Sequence, residues 1–285
     1  MQVFNATDNE LLEELERKRV EQERIDAWRL YDGKDKVVKI KDYIEELSTT
    51  PQQIKIHSGI KGLDKLLDGF QRGEVVVVTG QTGQGKTTFL QSLTFGFEDN
   101  GINTLWFSYE VGAQDLAVRF GKDIPNFSLP KITVAQNIQW LEQKIYEGIA
   151  KHDTRVVFID HLHYLLNMKE VGNGNSSLVI GHIMRSLKEI AIRTNTTIFL
   201  VSHLKMTKLE DVPDLDDLRD SSFVAQEADI VIVIWRLMRD KPDARGLDTY
   251  TTQMGIKVAK NRRKGTLGYI VSDFDGVKLK EVKNV

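Results

Sequence analysis

The chain reads as an α/β protein, with a mainly parallel β-sheet flanked by helices and a helical N-terminal extension. Three observations carry that reading. Short β-branched runs with no polar alternate face, such as Val75-Val-Val-Val78, suit strands buried on both sides of a parallel sheet. Such runs alternate along the chain with stretches of helical periodicity. A glycine-rich turn, Gly80-x-x-x-x-Gly85-Lys86-Thr87, joins the first run to a helical stretch.

That turn is a Walker A pattern, and phosphate chemistry explains its residue types. Gly80, Gly83 and Gly85 admit backbone angles closed to other residues. The backbone from Gly80 through Gln81, Thr82, Gly83, Gln84 and Gly85 to Thr88 can then curl its N–H groups around a phosphate chain. Lys86 brings a point charge to the β and γ phosphates, Thr87 a hydroxyl to Mg²⁺, and the following helix aims its positive end at the anion. The expected cofactors are ATP or another nucleoside triphosphate, with Mg²⁺.

Length and composition bound the rest. A chain of 285 residues holds one large domain with an appendage, and the expected division is 1–50 and 51–285. There are no cysteines, which excludes disulfides and Cys-based zinc sites. No run approaches the roughly 18 apolar residues of a membrane span, and Met1 to Asp26 is too charged for a signal peptide. The expectation is an intracellular protein without a membrane partner. A formal net charge of −2 makes no global case for nucleic-acid binding, so any such contact has to be local or multiplied by assembly.

In chain order, residues 9–30 are rich in Glu, Lys and Arg, with opposed pairs such as Glu13 with Arg17 and Glu14 with Lys18, and predict a helix. Its apolar residues are too sparse for a coiled coil. It is either a solvated extension or an arm that docks on a neighbouring subunit. A second short helix is expected at Lys41 to Leu47 and a linker at Ser48 to Pro51. Leu63, Leu66 and Leu67 mark a helix leading into the valine strand. Thr104 to Ser108 is a second strand that delivers Glu110 to the carboxyl edge of the sheet, where ligands of open α/β sheets bind. Glu110 is either a reactive carboxylate or a partner for the dipole of the next helix.

Helices follow at Ala113 to Phe120 and Asn137 to Ala150, with a loop between Pro125 and Pro130. Arg155 to Asp160 is a buried strand ending in a carboxylate, the Walker B form, and Asp160 is a candidate Mg²⁺ ligand beside Thr87. A polar segment from Asn167 to Ser177 precedes a helix from Leu178 to Arg193, and Thr197 to Val201 is a strand ending beside His203. Met206 to Asp217 is polar, and a capped helical turn at 218–229 leads to the strand Ile230 to Trp235. Two further strands, Thr251 to Ala259 and Leu267 to Phe274, flank Lys260-Asn-Arg-Arg-Lys-Gly265. This basic tip is either a solvated turn or an arginine finger for a triphosphate.

Taken together, Gly80 to Phe89, Gly101 to Glu110, Phe158-Ile-Asp-His161, Val201-Ser-His-Leu-Lys205, Gln226-Glu-Ala-Asp229 and Lys260-Asn-Arg262 resemble the helicase domain of the DnaB-type hexameric replicative helicases. The likeness is closer still to the mitochondrial helicase Twinkle and the phage primase-helicases, and it spans roughly residues 55–275. It implies a RecA-like P-loop ATPase core assembling into a hexameric ring, with nucleotide at subunit boundaries and single-stranded DNA in the central channel. By the same resemblance Glu110 is the base that polarises water, and Lys86 with Thr87 and Asp160 holds phosphate and Mg²⁺. His203 senses the γ-phosphate. Arg262, with Lys260, reaches the neighbour's nucleotide, and Arg263 is an alternative finger.

DNA is expected at the loops carrying Lys169 and Asn173, and Lys205 and Lys208. The implied activity is a 5′-to-3′ replicative DNA helicase, with primase or other replication proteins as partners. The implied place is the cytoplasm of a bacterial or phage-infected cell, or less readily the mitochondrial matrix. Ser272 stands where relatives carry an aromatic against the base, with Phe274 two positions on. The family's N-terminal primase-like domain has no counterpart, and residues 1–50 correspond to its linker helix. Two other readings suit parts of the chain. Gly62-Leu-Asp-Lys-Leu-Leu-Asp-Gly69 also fits recombinase-like or clock-type ATPases of the same core, and a nucleotide-binding assembly module would need no turnover.

Overall fold

The computed structural model describes residues 6–48, 55–135, 137–166, 176–203, 222–239 and 250–281. Two compact units form, Met1–Gln52 and Gln53–Val285. The first holds helices α1 (Ala6–Arg29) and α2 (Ile40–Ser48). In α1 the pairs Glu13–Arg17 and Glu14–Lys18 lie at 3.5 and 2.7 Å, fully on the surface, where each contributes only about 0.3–0.5 kcal/mol. Leu11, Leu12, Leu15, Val20, Ile25 and Trp28 are all exposed on it. On α2 the apolar residues Ile40, Tyr43, Ile44 and Leu47 follow helical spacing and are likewise exposed.

The second unit is built on one nine-stranded sheet among the described residues, in the order β3-β2-β4-β5-β1-β6-β7-β8-β9. Its strands are β1 (Val75–Gly80), β2 (Asn103–Ser108), β3 (Phe127–Ser128), β4 (Thr154–Asp160), β5 (Thr197–His203), β6 (Ile230–Met238), β7 (Tyr250–Asn261), β8 (Gly268–Phe274) and β9 (Leu279–Glu281). The first six in spatial order run parallel and the last three alternate antiparallel. Helices α3 (Lys61–Leu67), α4 (Lys86–Asp99), α5 (Ala113–Phe120), α6 (Ile138–His152), α7 (Ser176–Thr194) and α8 (Ser222–Glu227) complete it, with a 3₁₀ turn at Leu162–Leu165.

The four valines behave as their β-branched run requires. Val76 and Val78 enter a core with Leu63, Phe89, Phe97 and Phe199, on the side of α3 and α4. Val75 and Val77 enter the opposite core with Leu141, Leu187 and Ile190, on the side of α6 and α7. All four are fully buried, so neither face of this run meets solvent. Gly96 lets α4 lie against the segment before α3, since a Cβ there would stand 1.8 Å from the Ser58 carbonyl oxygen.

Register then sets the two edges of the sheet. At the carboxyl edge Ser108 pairs with Asp160 and Gly80 with His203, so the ends of β2, β4, β5 and β1 lie side by side. At the amino edge Ile230 pairs with Asn261, which puts the β7–β8 turn at the far end of the strands from Gly80. No described helix is long and apolar enough to cross a membrane.

Candidate active site

The loop between β1 and α4 is shaped for an anion. Gly83 and Gly85 sit at φ +78° and +92°, a region that strains any side-chain-bearing residue. Gly85 is the N-cap of α4 and gives it no side-chain cap, which leaves the first N–H groups of the helix facing the loop. Gln84 turns its side chain away from that cradle. Its amide N–H donates to the Tyr250 hydroxyl at 3.0 Å, and its amide oxygen accepts from the Arg236 N–H at 2.6 Å, pinning the loop to β6 and β7.

Lys86 is buried, with Nζ donating to the carbonyl oxygens of Gly80 and Gln81 at 3.0 and 2.9 Å. Burial pushes its ammonium down to about 8, against the pull of Asp160 and Glu110. Among the described residues no carboxylate lies in ion-pair range of it. A buried ammonium held only by carbonyls is a group short of an anion, and a phosphate fits that need. Thr87 Oγ1 donates to Asp160 Oδ2 at 2.9 Å, and burial raises the Asp160 carboxyl, opposed by that hydrogen bond. A hydroxyl and a carboxylate side by side are hard oxygen donors, which fits Mg²⁺.

Glu110 lies just past β2, ahead of the α5 N-cap Gly112. Its carboxylate Oε1 is 2.8 Å from His161 Nε2 and 3.7 Å from His203 Nε2. Burial holds both imidazoles below their ordinary range, His161 at about 4, while the Glu110 charge pulls the other way. The three residues each offer a ligand atom, all within 4.8 Å of one another. Metal-held imidazoles donate their second N–H outward. Here His161 Nδ1 accepts from the His163 N–H at 3.3 Å, and His203 Nδ1 is buried without a hydrogen-bond partner among the described residues. Neither outer nitrogen donates to a partner among the described residues, which departs from the usual pattern of metal-held imidazoles.

Lys86, Thr87, Asp160, Glu110 and His203 thus gather at the carboxyl edge. The basic turn does not join them. Arg262 N–H donates to the Asp229 carbonyl, and Asp229 accepts from the Val75 N–H at the start of β1, so the turn sits roughly 17 Å of strand away from Gly80. There Lys260 Nζ donates to the Ala225 and Gln226 carbonyls, and Arg262, half exposed, donates to Gln226. Arg263 is occupied elsewhere: it donates to the Leu67 and Gly69 carbonyls at the end of α3 and pairs with Glu74 at 3.3 Å.

Lys169, Asn173, Lys205 and Lys208 lie outside the described residues. Ser272 is fully buried between β7 and β9, and Phe274 packs against the core. The aromatic beside the loop is instead Tyr250, with the Arg236 guanidinium 4.9 Å over its ring. Sequence reasoning assigns a role to neither Tyr250 nor His161. His161 had a readable signal, its place directly after the strand-ending Asp160. Tyr250 had none, being 166 residues from Gln84.

A cleft of about 610 Å³ beside β2 and α6 carries none of these groups, and its Lys144 and Lys151 are tied to Glu147.

A family model for the DnaB-like helicase C-terminal domain matches residues 55–133 and 129–280. The chain is 27% identical over 223 residues to a probable replicative DNA helicase of Trieres chinensis, covering 66% of this chain and 49% of that one. It is 24% identical over 293 residues to the replicative DNA helicase DnaB of Haemophilus influenzae, covering 86% and 60%. The chain therefore spans about half to three-fifths of the length of these relatives. Among solved structures, one ATPase domain superposes with a TM-score of 0.68 at 21% identity, covering 86% of this chain and 97% of that chain. A DnaB-like replicative helicase, described with its interactions with primase, superposes with a TM-score of 0.68 at 19% identity, covering 96% and 74%.

Proposed function

The chain belongs to the DnaB-like helicase C-terminal domain family, and from that premise we propose that it is the ATP-hydrolysing motor of a replicative DNA helicase. It works as a hexameric ring moving 5′ to 3′ on single-stranded DNA, in the cytoplasm of a bacterial or phage-infected cell. Lys86 and the first N–H groups of α4 hold the phosphates, and Thr87 and Asp160 hold Mg²⁺. When bound, that ion neutralises charge on the phosphate oxygens. Glu110 takes a proton from the attacking water, and His203, beside it at the end of β5, responds to the γ-phosphate. Tyr250 and Arg236 are the side chains best situated to meet the base. Lys169, Asn173, Lys205 and Lys208 are the proposed contacts to DNA phosphates.

One observation carries this reading: the Glu110 cluster and the Arg262 turn sit on opposite edges of one sheet. A chain with its finger at the wrong end for its own fuel is incomplete alone. Head-to-tail repetition, the interface type that closes into rings, supplies the missing cation to each site. Residues 1–50 act as the arm for that contact, supported by the exposed apolar stripe of α2. A primase partner is proposed by analogy with the DnaB-like helicase described with one.

The test is ATP hydrolysis with and without single-stranded DNA, followed by separation of a forked duplex. DNA-stimulated hydrolysis with strand separation is expected. Hydrolysis that DNA stimulates without separating strands would contradict the helicase reading, and no hydrolysis would contradict the motor reading altogether.

A further inference from the structure

We infer that His161 is a positioning residue for Glu110: its Nε2–H holds one carboxylate oxygen so that the other faces the attacking water. The inference rests on the proposal that Glu110 is the base.

The tautomer follows from the neighbours. A backbone N–H can only donate, so the 3.3 Å contact from His163 N makes His161 Nδ1 an acceptor and leaves the proton on Nε2. Nε2 lies 2.8 Å from Glu110 Oε1, within reach of that proton. The weaker contact from His203, at 3.7 Å, falls on the same Oε1. Oε2 is the oxygen left to face the water.

The rest of the environment fixes everything around Glu110 except its own side chain. Tyr109 N–H donates to the Asp160 carbonyl at 2.9 Å, and its ring stacks on Tyr164 at 5.5 Å. Ser108 Oγ donates to the Val111 carbonyl at 2.6 Å and closes the turn. A glutamate on a fixed backbone still has three free torsions, and Glu110 is more than a third exposed. His161 is the group that removes that freedom. It can do so because its ring is itself buried, with the rings of His203, His163 and Tyr164 at 4.5, 5.1 and 5.1 Å. A base held in this way keeps one orientation toward the water it activates.

The test compares His161→Leu, which removes the donor at similar volume, with His161→Gln, which keeps an N–H close to the position of Nε2. For each, steady-state hydrolysis, binding of a fluorescent ATP analogue and thermal melting are measured. The Leu variant is expected to lose about 10- to 100-fold in kcat, the range of a hydrogen bond to a charged group, with KM and analogue binding within about 2-fold. The Gln variant is expected to recover most of that loss. A Leu variant with parental kcat, a Gln variant as slow as the Leu variant, or a loss carried in KM would overturn the inference. So would calorimetric Zn²⁺ binding by the parent that both variants lose, since the trio would then be a metal site. Glu110→Gln separates the two levels. If it still turns over, the underlying functional reading fails; if it is inactive while His161→Leu is not, only this inference fails.

Discussion

Replacing Lys86 by Met isolates the tension between stability and phosphate binding. The ordinary lysine value of 10.5 and the value of about 8 in the folded chain differ by an amount equivalent to about 3 kcal/mol. The sign follows from which state holds the proton. Between pH 8 and 10.5 the unfolded chain keeps a proton that the folded chain releases, so this lysine's contribution to stability rises with pH through that window. Below pH 8 both states are charged and the folded chain carries the full cost of a buried ammonium.

The Met variant removes that cost but also the hydrogen bonds to Gly80 and Gln81, worth about 1 kcal/mol each. Without nucleotide at pH 7 it should therefore melt a few degrees above the parent, at about 2–4 °C per kcal/mol for this size. The advantage should vanish by about pH 10. Saturating Mg-nucleotide should reverse the order, because only the parent gains the roughly 2.7 kcal/mol of ligand present at a hundred times its Kd. Melting curves on both proteins at several pH values, with and without nucleotide, read all of this. A Met variant less stable than the parent at pH 7, or one that nucleotide stabilises equally, would refute the account of Lys86 as a desolvated cation kept for phosphate.

Three other substitutions follow from the same geometry. Glu110→Gln should abolish turnover while an ATP analogue still binds; retained hydrolysis would put the base elsewhere. Thr87→Val leaves Asp160 without its hydroxyl partner and should raise the Mg²⁺ concentration needed for half-maximal hydrolysis severalfold, so an unchanged Mg²⁺ requirement contradicts the assigned pair. Arg263→Ala frees the Leu67 and Gly69 carbonyls and takes the ion pair from the buried Glu74, which keeps only the Gln71 N–H. It should cost about 1–3 kcal/mol in chemical denaturation. That cost should shrink as pH falls, since burial already raises the Glu74 carboxyl and protonation relieves it. A variant without any such loss would return Arg263 to the set of possible fingers.

The parallel core was readable because its strands are short, apolar on both faces and, in Val75 to Val78, β-branched between Gly73 and Gly80, a pattern that suits a sheet covered twice. The Walker residues were readable because adjacent residues in one loop do the work. What joins distant segments was not. Glu110 meets His161 and His203 through the order β2-β4-β5, which brings together the ends of strands far apart in the chain. Strand β3 has two residues and leaves no period to detect, so it lay inside a stretch read as loop between Pro125 and Pro130. In Lys260 to Lys264 the cations are chemically alike in sequence. Only the bend of the turn, which sends Arg263 to the end of α3 and leaves Arg262 half exposed, tells them apart.

The central claim, that each site is completed by the neighbouring subunit, is tested most directly by mixing two inactive proteins. Glu110→Gln lacks the base but keeps the finger; Arg262→Ala lacks the finger but keeps the base. In rings formed from equal amounts, about a quarter of the boundaries pair an intact base with an intact finger if subunits assemble at random head to tail. Hydrolysis should then appear on mixing, rise to a maximum near equal proportions and approach that fraction of the parental rate. A mixture that never exceeds the sum of its two components, at any ratio and under conditions where mixed rings form, would mean that Arg262 does not serve the adjoining subunit's nucleotide.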